Sequence, residues 1–131
     1  MNKTTILWAD DDRDDLETFH DVMREINAPH EVVTFSNGKE VLDYLSSLEA
    51  EAHPCLIILD MNMPVLDGRE TLAILKKEQE YRSIPVVVFT TSGNEQDKSF
   101  CSRHETAMLT KPPTYRDLKE TVQTMLSHCL S

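Results

Sequence analysis

The sequence lacks any apolar run approaching the roughly 18 to 20 residues of a membrane-spanning helix. Its polar start, Met1-Asn2-Lys3-Thr4-Thr5, has no long apolar stretch behind it. Neither a span nor a secretory leader is expected, and the chain is expected in the cytoplasm. Positive charge is also scarce: thirteen Lys plus Arg face twenty-three Asp plus Glu, a net charge of -10. Phosphate backbones and anionic bilayers are held by clustered cations, so nucleic acid and membrane surfaces are poor partners, while cations, metals and proteins remain. The three cysteines, Cys55, Cys101 and Cys129, are odd in number and form no C-x-x-C pair, which suggests neither a disulfide framework nor a structural zinc site. They read as reduced thiols. His20, His30, His53, His104 and His128 share no metal-ligand spacing and read as surface or rim residues. No low-complexity linker interrupts the chain, and 131 residues at 40% apolar composition supply one core and not two. A single domain over 1–131 with no output domain is expected.

What is present is a series of short apolar runs separated by helical patterns: Ile6-Leu7-Trp8-Ala9, Val32-Val33-Thr34-Phe35, Cys55-Leu56-Ile57-Ile58-Leu59, Val86-Val87-Val88-Phe89 and Ala107-Met108-Leu109. Each is strand length, and their continuous character suits strands buried on both faces of a parallel sheet. After each run comes a capping pattern, a short polar residue followed three positions later by an acid. The pairs are Asp12 with Asp15, Asn37 with Glu40, Asp67 with Glu70, Ser92 with Glu95, and Thr114 with Asp117. The first side chain can accept from an orphan helix N–H, and the acid favours the positive end of the helix dipole. Five such units in register with five apolar runs predict an α/β chain of five strand–helix repeats.

Most of the predicted helices carry a readable apolar stripe. Leu16, Phe19, Val22, Met23 and Ile26 mark the first; Val41, Leu42, Leu45 and Leu48 the second; Leu72, Ile74 and Leu75 the third. Leu118, Val122, Met125, Leu126 and Leu130 mark the fifth. The fourth, Asn94 to His104, offers only Phe100 and Cys101 as apolar anchors and is expected to be the most weakly held.

Ligands of an open parallel sheet bind beyond the carboxyl ends of its strands. There the chain places Asp10-Asp11-Asp12, then Asp60 with Met61-Asn62-Met63-Pro64, then Thr90-Thr91-Ser92, then Thr110-Lys111-Pro112-Pro113. Carboxylates gathered at one edge repel unless a cation neutralises them. Mg2+ suits the set, because it takes oxygen ligands and usually one or two carboxylates plus a phosphate. Lys111 then offers a second positive charge to an anion brought to the metal, and Thr90 a hydroxyl.

Taken in order, Asp10-Asp11, Asp60 in Leu59-Asp60-Met61-Asn62-Met63-Pro64 with Asp67-Gly68, Thr90, and Lys111-Pro112 resemble the response-regulator receiver domain of two-component signalling. The resemblance runs from about Thr5 to Leu130. Asp11-Asp12-Arg13-Asp14-Asp15 and Thr90-Thr91-Ser92 look most like the stand-alone receivers serving phytochrome-type histidine kinases. The resemblance implies a flavodoxin-like, doubly wound (βα)5 sandwich with strand order 2-1-3-4-5. It implies Asp60 as phosphoacceptor from a histidine kinase or phosphotransfer protein. Mg2+ would be held by Asp11, Asp60 and the carbonyl of Asn62, with Asp10 acting through a bound water. Lys111 would face the phosphoryl oxygens across a cis Lys111-Pro112 peptide, and Thr90 would be the switch hydroxyl. Output would pass to a protein partner or a second copy through the fourth helix, fifth strand and fifth helix.

Other readings compete with parts of this. Asp12, Asp14 and Asp15 read better as helix N-terminal charge than as catalytic groups. Asp10 to Asp21 imitates a calcium loop, but Asp15 stands where Gly is required and Asp21 where Glu is. A haloacid-dehalogenase-type phosphatase also uses a strand-end Asp, Mg2+ and a lysine, yet needs an acid where this chain has Asn62. A pseudo-receiver that is never phosphorylated would not need the intact acids, lysine and hydroxyl. Met108 replaces the Tyr or Phe that many receivers carry three residues before the lysine, which puts a two-position aromatic switch in doubt, and Pro113 stiffens the approach to the last helix.

Overall fold

The computed structural model describes residues 4–91 and 93–129. Every apolar run becomes a strand: β1 Thr5–Ala9, β2 Glu31–Phe35, β3 Leu56–Leu59, β4 Val86–Thr90 and β5 Ala107–Thr110. Each is followed by a helix: α1 Arg13–Glu25, α2 Gly38–Ser46, α3 Gly68–Lys77, α4 Glu95–Arg103 and α5 Tyr115–Leu126. The strands pair in parallel in the order β2-β1-β3-β4-β5.

Because side chains alternate across a strand, the continuous apolar runs feed two cores at once. Leu7, Ala9, Ile57, Leu59 and Val88 pack with Val41 and Leu45 of α2, Leu72 and Leu75 of α3, and Cys101 of α4. Ile6, Trp8, Ile58 and Phe89 pack on the other face with Phe19 and Val22 of α1 and Leu118, Val122 and Met125 of α5. Trp8 stacks on Phe19 at 4.2 Å between ring centroids. The expectation of burial on both faces holds for β1, β3 and β4. It does not hold for β2 and β5, which lie at the sheet edges and keep partly exposed residues.

The caps form largely as the spacing predicts. Asp12 accepts from the N–H groups of Asp14 and Asp15, Asn37 from Glu40, and Thr114 from Asp117, while Asp67 and Glu70 close a full capping box. Two details differ. Glu40 turns back to the N–H and hydroxyl of Ser36 rather than to Asn37. The cap of α4 is Asn94, accepting from Asp97 N–H, rather than Ser92 with Glu95; Ser92 lies outside the described residues, as does Leu130 of the predicted α5 stripe.

The fourth helix also holds on differently from the expectation. Besides Cys101 and Phe100 it buries Asp97, whose carboxylate takes a 2.6 Å hydrogen bond from Arg69 of α3, and the Arg69 guanidinium lies 4.9 Å from the Phe100 ring centroid. A charge pair thus supplements the missing apolar stripe, a pairing of residues 28 apart that helical periodicity does not reveal.

The reading of three reduced thiols is corrected for two of them. Cys55, just before β3, and Cys129, after α5, form a disulfide with Cα atoms 4.8 Å apart, a separation such bridges accommodate, and Cys101 is the free, buried thiol. Partners 74 residues apart are brought together only by the packing of α5 on the sheet. His53 is buried against the Tyr81 ring and is not a rim residue. The Lys111-Pro112 peptide is trans, since no cis bond occurs among the described residues; this is the intrinsically preferred isomer, and Lys111 reaches its partners from it.

Candidate functional site

Parallel strands deliver all their carboxyl ends to one edge, and the register decides which residues meet there. Ala9 lies opposite Leu59, so Asp10 and Asp60 emerge side by side from the two central strands, and Asp60 N–H donates to the Ala9 carbonyl at 3.0 Å. Thr90 lies opposite Thr110, and Lys111 N–H donates to the Thr90 carbonyl at 2.8 Å. The β1–β3 junction is also where the winding of the sheet reverses, the position at which such sheets open a crevice.

The Lys111 ammonium reaches back across this edge. Its Nζ lies 2.5 Å from Asp10, 2.9 Å from Asp15 and 3.0 Å from Asp60, so three carboxylates take its three N–H donors. Asp10 and Asp60 are buried, Thr90 is fully buried, Asp11 is exposed and the lysine side chain is only 10% exposed. Asp10 also accepts from Asp12 N–H at 2.9 Å, and Asp60 more loosely from Asn62 N–H at 3.4 Å.

Asp10, Asp11 and Asp60 each offer a carboxylate oxygen, all within 4.8 Å of one another. Three hard oxygen donors, one facing solvent, fit a divalent cation of the Mg2+ type, which binds through few carboxylates and keeps its waters. A cleft of about 470 Å3 opens beside Asp10 and Asp11, walled by Arg13, Phe35 and Glu40 among others. A wider open groove along α4 and Arg69 shares no residue with the acids.

Electrostatics follow from crowding. Burial pushes the Asp10 carboxyl up to about 6, against the pull of Lys111 and of the Asp12 N–H, and the Asp60 charge adds to the rise. For Lys111 burial acts to lower the value, but the hydrogen bonds to Asp10 and Asp15 and the charges of Asp60 and Asp10 prevail and hold it above the ordinary lysine range. Between about pH 4 and 6 the folded chain therefore keeps a proton on Asp10 that the unfolded chain releases. Metal-free protein is expected to lose about 3 kcal/mol of stability as pH rises through that window. Urea unfolding in chelator at pH 4, 5, 6 and 7 measures the slope. A slope unchanged in Asp10→Asn would assign it to another group.

The sequence-predicted residues Asp10, Asp11, Asp60 and Lys111 are thus brought together, with Thr90 at the adjoining strand end and Asn62 exposed in the loop that leaves β3. Asp15 stands in the first turn of α1, as a helix N-terminal charge should, and in addition accepts from the lysine. A signal for this exists: Asp15 stands four and seven residues before Phe19 and Val22, on the buried stripe of α1, and so faces the sheet. In the loop between β3 and α3, Val65, exposed and at φ 65, sits in a turn closed by Leu66 N–H to the Pro64 carbonyl, a conformation β-branched residues rarely adopt.

The chain is similar to known proteins in sequence and in fold. Residues 6–123 match the response regulator receiver domain family. The response regulator Rcp1 of Synechocystis sp. is 35% identical over 122 residues, covering 90% of this chain and 83% of Rcp1. The polar-differentiation response regulator DivK of Brucella ovis is 27% identical, covering 93% of this chain and 95% of DivK. Among solved structures, the phosphorylated cyanobacterial phytochrome response regulator RcpA superposes with a TM-score of 0.86 at 34% identity, covering 98% of this chain and 95% of that one. The Mn2+-bound form of Rcp1 gives 0.83 at 33% identity, covering 95% and 92%. No helix among the described residues is long and apolar enough to cross a membrane. By family match, strand order and acidic edge together, the chain belongs to the response regulator receiver domains, phosphorylation-activated signalling switches rather than classical enzymes.

Proposed function

We propose that Asp60 is the phosphoacceptor. The observation that carries this is the Asp60 carboxylate held 3.0 Å from Lys111, beside two further acids at the carboxyl edge of the central strands. A carboxylate oxygen of Asp60 attacks phosphorus in line. The new O–P bond forms as the P–N bond of a phosphohistidine breaks, and the imidazole leaves with the electron pair and takes a proton. From acetyl phosphate the leaving group is acetate. Hydrolysis reverses the modification: water attacks phosphorus, and Asp60 carboxylate and inorganic phosphate result.

Asp10, Asp11 and Asp60, with the carbonyl of Asn62, would hold Mg2+, Asp10 through a water. The bound ion would supply positive charge to the phosphoryl oxygens as charge spreads over them. Lys111 supplies the protein's own cation, held against Asp10 and Asp60. It must release Asp60 and turn one N–H to a phosphoryl oxygen, a short motion for an ammonium already within hydrogen-bond distance. Thr90, at the end of the neighbouring strand β4, would be the switch hydroxyl in this reading. Holding the donors in position beforehand matters more here than covalent help, because the transferring group is loosely bonded in the transition state.

The cognate donor in this reading is a histidine kinase or histidine phosphotransfer protein of the phytochrome type, supported by the likeness to Rcp1 and RcpA. A stand-alone receiver is supported by the 95% coverage of both RcpA and DivK. Output would then pass through α4, β5 and α5 to a partner protein or a second copy. The proposed compartment is the cytoplasm.

The test is intact mass after incubation with acetyl phosphate and Mg2+. One phosphoryl group per chain is expected, and none should form in chelator or in Asp60→Asn. Repeated turnover of a phosphate ester without an adduct would point to a phosphatase instead. An adduct that persists in Asp60→Asn would place the acceptor elsewhere.

A further inference from the structure

We propose that Asp15 is a positioning residue for phosphoryl transfer, holding the Lys111 ammonium over the acceptor throughout the cycle. The inference rests on the reading of Asp60 as phosphoacceptor. Three carboxylates share the lysine, and they differ in what else they must do. Asp60 would carry the phosphoryl group. Asp10 belongs to the trio of oxygens that converge on the cation position. Asp15 belongs to neither, although its oxygen lies as close to Nζ, at 2.9 Å, as that of Asp60 at 3.0 Å.

The consequence is geometric. When Asp60 and Asp10 turn to other partners, a lysine without Asp15 loses its protein acceptors together and swings as a four-carbon chain in an opening toward solvent. With Asp15 retained, one N–H stays fixed and the other two point across the strand ends. The anchor itself is stiff. Asp15 sits in the first turn of α1, its N–H accepted by Asp12, on the stripe whose next members, Phe19 and Val22, are locked in the core. Half-buried and charge-assisted, the bond is stronger than a neutral one and weaker than a fully buried pair.

Asp14 supplies the control. It lies in the same helical turn, carries the same charge at the same helix end, is exposed, and makes no bond to Lys111; its backbone carbonyl accepts from Thr18 and its N–H goes to Asp12. A role for Asp15 as helix-dipole charge alone would be matched by Asp14.

The experiment follows single-turnover phosphorylation by acetyl phosphate at saturating Mg2+, and separately Mg2+ binding without donor through the fluorescence of Trp8, the sole tryptophan. Asp15→Asn is expected to slow phosphorylation about fivefold, the share of a partly exposed charged hydrogen bond. Its Mg2+ affinity is expected to stay within about twofold, because a positioning role leaves the metal oxygens in place. Asp14→Asn should leave the rate at the wild-type level, and Asp15→Glu should recover most of the loss. Equal slowing by Asp14→Asn, a rate loss that tracks Mg2+ affinity, or an Asp15→Asn rate equal to wild type would each overturn the inference while leaving Asp60 as acceptor. Failure of wild type to form any adduct would remove the underlying reading and the inference with it.

Discussion

Gly68→Ala is expected to destabilise the protein by about 3 kcal/mol and to impair phosphoryl acceptance at the same time. Gly68 is the first residue of α3, and its N–H donates to the Met61 carbonyl at 3.0 Å, which draws the helix start against the chain leaving β3. A β-carbon there would fall 2.8 Å from Met61 Cα and 3.0 Å from the Asp60 carbonyl carbon, with the Asp60 carbonyl oxygen nearer still. These neighbours are backbone, so no side chain can rotate away. Either α3 lifts from the sheet, opening the packing of Leu72 and Leu75, or the Asp60 peptide shifts and takes its carboxylate off Lys111. Urea unfolding and phosphorylation rate should therefore fall together. A variant with wild-type stability and rate would mean that the α3 start and the Asp60 peptide can separate at little cost.

Lys111→Met is expected to cost the metal-free protein about 3 kcal/mol at pH 8, because removing one partner strands buried like charges. The substitution keeps an unbranched side chain of similar length, so the effect is one of charge. In wild type the lysine value is raised, so its stabilisation is fully present below the ordinary lysine range and is lost only at higher pH. At pH 8 all of it is therefore at stake. Without the ammonium the Asp10 carboxyl, already raised by burial, loses the pull that opposes that rise, and the folded chain binds a proton that the unfolded chain does not. The deficit should therefore shrink on acidification to pH 5. Saturating Mg2+ should recover much of it at pH 8, since a divalent cation neutralises the same oxygens. A deficit equal at both pH values, or one insensitive to Mg2+, would show that Lys111 contributes packing rather than charge. Adduct formation in the Mg2+-loaded variant should remain slow, because the ion restores neutrality but not the hydrogen bond to the phosphoryl group.

Much of this architecture is legible in the sequence because it is written in local periodicity. Continuous apolar runs such as Leu56–Leu59 can face two cores only inside a covered parallel sheet, and Asp67 with Glu70 marks the start of α3 through bonds that span three residues. The acids and lysine of the site are legible for a related reason: strand ends in a parallel sheet share an edge, so a residue just after an apolar run is placed without knowing the rest of the fold. Where local pattern is thin, the reading erred. Helix α4 has little apolar stripe, and its cap at Asn94 and its ion pair to Arg69 were both missed.

The sequence by itself thus determined the repeat, four of the five helix caps, and the identity of Asp10, Asp11, Asp60, Thr90 and Lys111 as residues of one edge, because each depends on chain neighbours or on strand direction alone. Tertiary structure decided the partners of those residues. It paired Lys111 with Asp15 across 96 positions, joined Cys55 to Cys129 across 74, and left the Lys111-Pro112 peptide trans. Such contacts are fixed by how helices seat on the sheet, and a helix turned by a single residue moves a side chain by about 100°, enough to exchange one partner for another.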